Sequence, residues 1–141
     1  MSRPARSYAL LIAGGVGLAA RTGFFTNNDL STGVNVTRTA IFGVLDTNGW
    51  HNLFHLLFVP LAVWVANRAG AARSFALLAG LLYAVMGVAG IALGDRAVLF
   101  GLIPVNLFDD AIHLSLGVLG LAVAWYAAAA RHPQPRVPAG A

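Results

Sequence analysis

Apolar residues in this chain come in runs, and isolated charges bound each run. There are 14 uncharged residues between Arg6 and Arg21, 21 between Asp46 and Arg68, 21 between Arg73 and Asp95, and 20 between Asp110 and Arg131. An α-helix rises about 1.5 Å per residue, so about 20 apolar residues cross a hydrocarbon core of about 30 Å. The pattern predicts four transmembrane helices, near 7–25, 50–67, 74–94 and 107–129. The first carries Arg21 close to one membrane surface, where its long side chain either snorkels to the headgroups or pairs with Asp109 or Asp110. Phe24, Phe25, Trp50 and Phe108 fall at the level of an interfacial aromatic belt.

The runs also repeat. Arg6-Ser7-Tyr8-Ala9-Leu10-Leu11 matches Arg73-Ser74-Phe75-Ala76-Leu77-Leu78 at an offset of 67, with one Tyr-to-Phe change. Phe42-Gly43-Val44-Leu45 then matches Phe100-Gly101-Leu102-Ile103 at an offset of 58. Without a gap, Asn48 falls on Asn106, Trp50 on Phe108, His55 on His113 and Leu56 on Leu114. The expectation is an all-α bundle of two parallel helical hairpins, about 6–69 and 73–130, related by a pseudo-twofold axis along the membrane normal. Helix one is then the counterpart of helix three and a true span, which argues against reading residues 1–20 as a cleaved signal peptide.

Composition fits this picture. Of 141 residues, 58% are hydrophobic and 10% charged, against about 25% charged in a soluble domain. A soluble fold of this size has too much surface for its volume to hide so much apolar area. The chain reads as one transmembrane domain over 1–130, followed by a Pro-rich polar tail, 131–141, expected to be disordered. Arg3, Arg6, Arg68, Arg73, Arg131 and Arg136 would share one side, and Arg21, Arg38 and Arg96 the other. That excess predicts a multi-pass protein of the bacterial inner (cytoplasmic) membrane with both termini in the cytoplasm.

Several function classes drop out. The chain has no Cys, which removes disulfides, thiolate metal ligands and Cys nucleophiles. Its arginines stand singly or in pairs between apolar runs, so the net charge of +4 is a topology signal and not a nucleic-acid footprint. No polar route crosses the inner halves of the spans, so a pump, channel or carrier fits poorly. Hydrolase motifs are missing as well.

The candidate chemistry lies at the outer ends of helices two and four. Asn48 and Asn106 are expected to cap them. His51 and His55 share a helix face at i, i+4, as do Asp109 and His113. The repeat sets His51 opposite Asp109 and His55 opposite His113, so three imidazoles and a carboxylate converge. Such ligands, without sulfur, suit a transition metal. Alternatively, His55 and His113 at matched depth would be the two axial ligands of a haem. Asn52, Asp110 and Arg21 complete the polar cluster. The same groups also read as an interhelical hydrogen-bond clasp, or as the contact point for a ligand such as a quinone.

The small residues set the packing. Gly14, Gly15 and Gly17 in helix one, Gly87, Gly90 and Gly94 in helix three, and Gly117 and Gly120 in helix four are expected to let backbones approach. They also offer faces to other membrane proteins or to a second copy of the chain.

The repeated Asn, then His-Leu seven residues on (Asn48 to His55-Leu56, Asn106 to His113-Leu114), resembles a family of small uncharacterised four-helix membrane proteins common in actinobacteria. Phe100-Gly101-Leu102-Ile103-Pro104 and Gly117-Val118-Leu119-Gly120-Leu121 add to the likeness, which runs from about Arg6 to Tyr126. The chain departs from that pattern where the first copy has Phe58-Val59-Pro60 and the second has Gly117. The resemblance implies a four-span bacterial membrane protein and no activity, the family being a domain of unknown function. The leading expectation is therefore a non-catalytic structural or accessory membrane protein, such as a subunit or stabiliser of a larger complex. The alternative is a metal- or haem-binding protein using His51, His55, Asp109 and His113.

Overall fold

Four helices form where the apolar runs stand. In the computed structural model, which describes residues 3–68 and 70–130, α1 is Arg3–Thr26, α2 is Gly49–Ala66, α3 is Ala71–Leu93 and α4 is Leu107–Ala129. All four are long and apolar enough to cross a membrane. Large apolar side chains such as Leu57, Trp64, Leu78 and Trp125 are exposed on the outside of the bundle, as expected where lipid is the solvent. The tail expected to be disordered, 131–141, lies outside the described residues. α1 is not uniform: it carries a π-helical turn over Ile12–Val16, an irregularity that widens a helix locally.

The expectation of an all-helical chain needs correction. Both segments before the even-numbered helices fold into short antiparallel β-hairpins: β1 (Thr39–Ile41) with β2 (Leu45–Thr47), and β3 (Val98–Leu99) with β4 (Ile103–Pro104). Each turns on a Phe-Gly pair. Phe42 and Gly43 have φ of 53° and 75°, and Phe100 and Gly101 have φ of 55° and 67°. A turn with two consecutive positive φ values matches the right-handed twist of paired strands. The Val44 N–H donates to the Ile41 carbonyl at 3.1 Å and the Leu102 N–H to the Leu99 carbonyl at 3.0 Å, closing both turns. The hairpins satisfy backbone groups that the bilayer interface would otherwise leave open.

The longer loop after α1 is tied down by its own side chains. Thr37 and Ser31 donate to the Asp29 carboxylate at 2.6 and 2.9 Å. These bonds hold its pKa below the usual carboxylate value. The Gly33 N–H reaches across to the Gly101 carbonyl at 2.7 Å, joining this loop to the second turn.

α3 and α4 pack through glycine. A Cβ at Gly117 would lie 2.5 Å from the Ala84 nitrogen, one at Gly87 2.7 Å from the Leu114 nitrogen, and one at Gly80 2.8 Å from the Leu121 nitrogen. Gly120 faces Gly80 and the Tyr8 hydroxyl, and that hydroxyl donates to the Leu116 carbonyl at 3.1 Å. Between α1 and α2 the small residue has changed sides. There Gly17 accommodates Val59, 3.2 Å from where its Cβ would be. Three expected packing glycines do otherwise: Gly14 and Gly15 have no neighbour within 4 Å of a Cβ, and Gly94 ends α3 with φ of 96°. Gly80, by contrast, belongs to the seam.

Replacing Gly117 by Leu should therefore force the α3–α4 backbones apart and destabilise the protein by about 1–3 kcal/mol or more. Gly14→Ala, with open space around it, should change stability by less than about 1 kcal/mol. Unfolding midpoints in mixed detergent micelles measure both, and equal effects would contradict the seam.

Candidate metal centre

The hairpins aim α2 and α4 at each other through two asparagines. The Asn48 side-chain oxygen accepts the His51 N–H at 2.9 Å, capping α2. The Asn106 oxygen accepts the Phe108 and Asp109 N–H groups at 2.9 and 3.1 Å, capping α4. Their amide nitrogens then cross over. Asn48 donates to the Leu102 carbonyl in the second turn at 2.8 Å, and Asn106 donates to the Val44 carbonyl in the first at 2.8 Å. Each helix start is thereby fastened to the other helix's hairpin.

Three histidines meet just beyond these caps. His51, His55 and His113 each offer a ring nitrogen, and these nitrogens all lie within 4.8 Å of one another. Ring centroids are 4.5 Å apart for His51–His55, 5.8 Å for His51–His113 and 6.1 Å for His55–His113. His51 Nδ1 sits 3.0 Å from the Asp46 carbonyl oxygen. A carbonyl can only accept, so Nδ1 carries the proton and Nε2 keeps its lone pair. His51 Nε2 and His113 Nδ1 are buried with no hydrogen-bond partner among the described residues. A carbonyl on one ring nitrogen and a bare lone pair on the other is the arrangement that orients a metal-ligating imidazole.

The other expected members are placed differently. Asp109 does not join the three-histidine group. Its Oδ2 accepts the Asn106 N–H at 3.1 Å and the Asp46 N–H at 2.9 Å, the first completing a capping box. Asn52 is buried, accepting from the Thr47 hydroxyl at 2.7 Å and donating to the Asn27 carbonyl at 2.9 Å. Asp110 is buried against α3 in the room that Gly90 leaves, with Oδ1 unpartnered. Arg21 stands apart from the cluster: it is exposed, and the ion pair found among the described residues is Arg38–Asp46 at 3.2 Å.

A haem between His55 and His113 meets a steric obstacle. The His51 ring closes the third corner of the triangle, where a porphyrin plane would have to pass. Tyr83 also packs on His113, with centroids 5.6 Å apart and rings 26° from parallel. In the sequence Tyr83 stands out only as a lone polar group near mid-membrane, too little to make an ion route.

Two cavities flank the histidines. One, about 250 Å³, lies between α1 and α4 and includes Gly15, Val16 and Ala19 beside His55, Asp109 and His113. The other, about 240 Å³, lies between α2 and α3, with Phe58, Leu82 and Met86 beside the three histidines. Phe42 edges the first and Phe100 the second.

Replacing Asn48 or Asn106 by Ala removes a helix cap and a bond between hairpins. Each should cost about 2–3 kcal/mol, from about 1–2 for the cap and about 1 for the second bond. Equilibrium unfolding in micelles measures this, and a loss below about 0.5 kcal/mol would show that the crossed bonds do not hold the helices.

A search of curated proteins finds no match, and a search of solved structures finds none. The family model for a domain of unknown function (DUF4383) does match, over residues 4–126. With nearly the whole described bundle inside that match, the chain belongs to the DUF4383 family.

Proposed function

We propose that this protein holds one transition-metal ion on His51, His55 and His113. The observation that carries the reading is the convergence of one ring nitrogen from each of three imidazoles within 4.8 Å, where His51 and His113 each also hold a buried ring nitrogen without a partner among the described residues. A zinc–nitrogen bond is about 2.0–2.1 Å, so tetrahedral ligation needs nitrogens about 3.3 Å apart. Small side-chain rotations close the remaining gap. Three neutral imidazoles suit zinc, copper or cobalt and leave a fourth position open. Asp109 lines the first cavity with His55 and His113, but its Oδ2 is engaged by two backbone amides.

A structural or accessory role draws support from the glycine seam and the asparagine bonds. It leaves a buried ring nitrogen on each of His51 and His113 without a partner among the described residues, and an unmet buried polar atom is costly. The metal reading accounts for them.

The pseudo-twofold repeat belongs to the same proposal. It is supported by the reciprocal Asn48–Leu102 and Asn106–Val44 bonds, by the two Phe-Gly turns, and by Asn52 on Gly23 matching Asp110 on Gly90. In this reading the ion lies near the duplication axis. The arginine excess supports a cytoplasmic-membrane protein with both termini inside, which sets the centre toward the outer surface.

Protein purified in mild detergent, stripped with chelator and dialysed against Zn²⁺ or Co²⁺ should retain about one ion per chain. Joint His55→Ala and His113→Ala replacement should abolish retention, and His51→Ala alone should weaken it by more than about 100-fold. Helical circular dichroism checks that the variants fold. Unchanged metal content in a folded double variant would overturn the assignment.

A further inference from the structure

The cavity between α2 and α3 has the features of a ligand site that the metal does not use. Apart from the three histidines, its walls are apolar and aromatic: Phe54, Phe58, Leu82, Tyr83, Met86 and Phe100 border about 240 Å³. No arginine or aspartate lines it, so a charged head would enter without a counter-charge and at a high desolvation cost. Phe54, Leu82 and Phe100 are also exposed on the outside of the bundle, which sets the mouth of the cavity on the surface that faces lipid. Tyr83 stands between this cavity and the first and lines both, and its buried hydroxyl has no partner among the described residues. A buried phenol normally finds an acceptor, and the described residues supply none.

These features select the ligand's chemistry. It is neutral and reaches the cavity from the bilayer. Its head is flat enough to lie among aromatic rings, and Tyr83 already packs near-parallel to His113 with Phe58 6.0 Å away. The volume takes a single substituted ring, so a longer tail stays in the lipid. The head also presents an oxygen that accepts a hydrogen bond.

We propose that the cleft between α2 and α3 binds the ring of a lipid-soluble quinone, one of whose carbonyl oxygens accepts a hydrogen bond from the Tyr83 hydroxyl. All three candidate metal ligands line the cleft as well, but Tyr83 is none of them, so its hydrogen bond to the quinone is tested apart from the metal. Tyr83 lines the first cavity, between α1 and α4, as well, but its neighbours there are Gly15, Val16 and Ala19 in place of Phe54, Phe58 and Met86.

Equilibrium dialysis of the detergent-solubilised full chain against decylubiquinone tests this, with wild-type protein both stripped of metal and loaded with Zn²⁺. Saturable binding of about one quinone per chain is expected in both states. Tyr83→Phe should weaken binding roughly tenfold, the value of one buried hydrogen bond. Leu82→Trp, which fills the mouth, should abolish it, whereas Leu18→Trp at the other cavity should not. Circular dichroism and the unfolding midpoint verify that each variant folds. Non-saturable uptake would overturn the proposal, as would equal affinity for decylbenzene, which lacks the carbonyls and would mark a lipid groove. Wild-type affinity in both folded Tyr83→Phe and Leu82→Trp would overturn it too. Zinc retained without quinone binding refutes this inference alone, and quinone bound without zinc refutes only the metal centre.

Discussion

A helix that enters a membrane brings with it backbone N–H groups that have no partner in its own first turn, and hydrocarbon offers them none. Asn48 and Asn106 meet this constraint with one side chain each. The oxygen serves the local helix start, and the nitrogen reaches a carbonyl in the opposite hairpin's turn. Because both ends of each amide are engaged, the starts of α2 and α4 are held in one relative position. Everything placed a fixed number of residues beyond them inherits that position. His51 comes three residues after Asn48, and His55 and His113 seven residues after their own caps. The histidine cluster is thus a consequence of where the caps are fixed.

The same constraint explains which parts of the molecule could be read from sequence. The four spans follow from the charge-to-charge runs, and their bounds differ from the observed helices by only a few residues. The convergence of His51, His55 and His113 follows from i, i+4 spacing and from aligning Asn48 with Asn106. The β-hairpins were not legible, because their turns are built on Phe-Gly instead of the usual Asn-Gly or Asp-Gly, and an exposed Phe at positive φ is a poor turn signal. The match of Phe42-Gly43 with Phe100-Gly101 is visible in the sequence, but periodicity gives it no geometry.

Residues were misplaced where one side chain had two plausible employments. Asp109 sits at the i, i+4 position from His113, which suggested a ligand. It also stands at the third residue after Asn106, and backbone amides recruited it there. Glycines posed a similar ambiguity. Those at Gly87, Gly117 and Gly120 meet a neighbouring backbone, whereas Gly14 and Gly15 fall in or beside the π-helical turn and face open space. Composition counts both kinds alike, and only the partner helix distinguishes them.

The glycine seam has a consequence for how the chain comes together. α3 and α4 touch backbone to backbone and are adjacent in sequence, so that pair can close without help from the rest. The histidines cannot. Two stand on α2 and one on α4, so their triangle exists only after the two halves of the chain have docked. The cluster is therefore the last feature of the bundle to be completed, and its completion is a signature that assembly has finished.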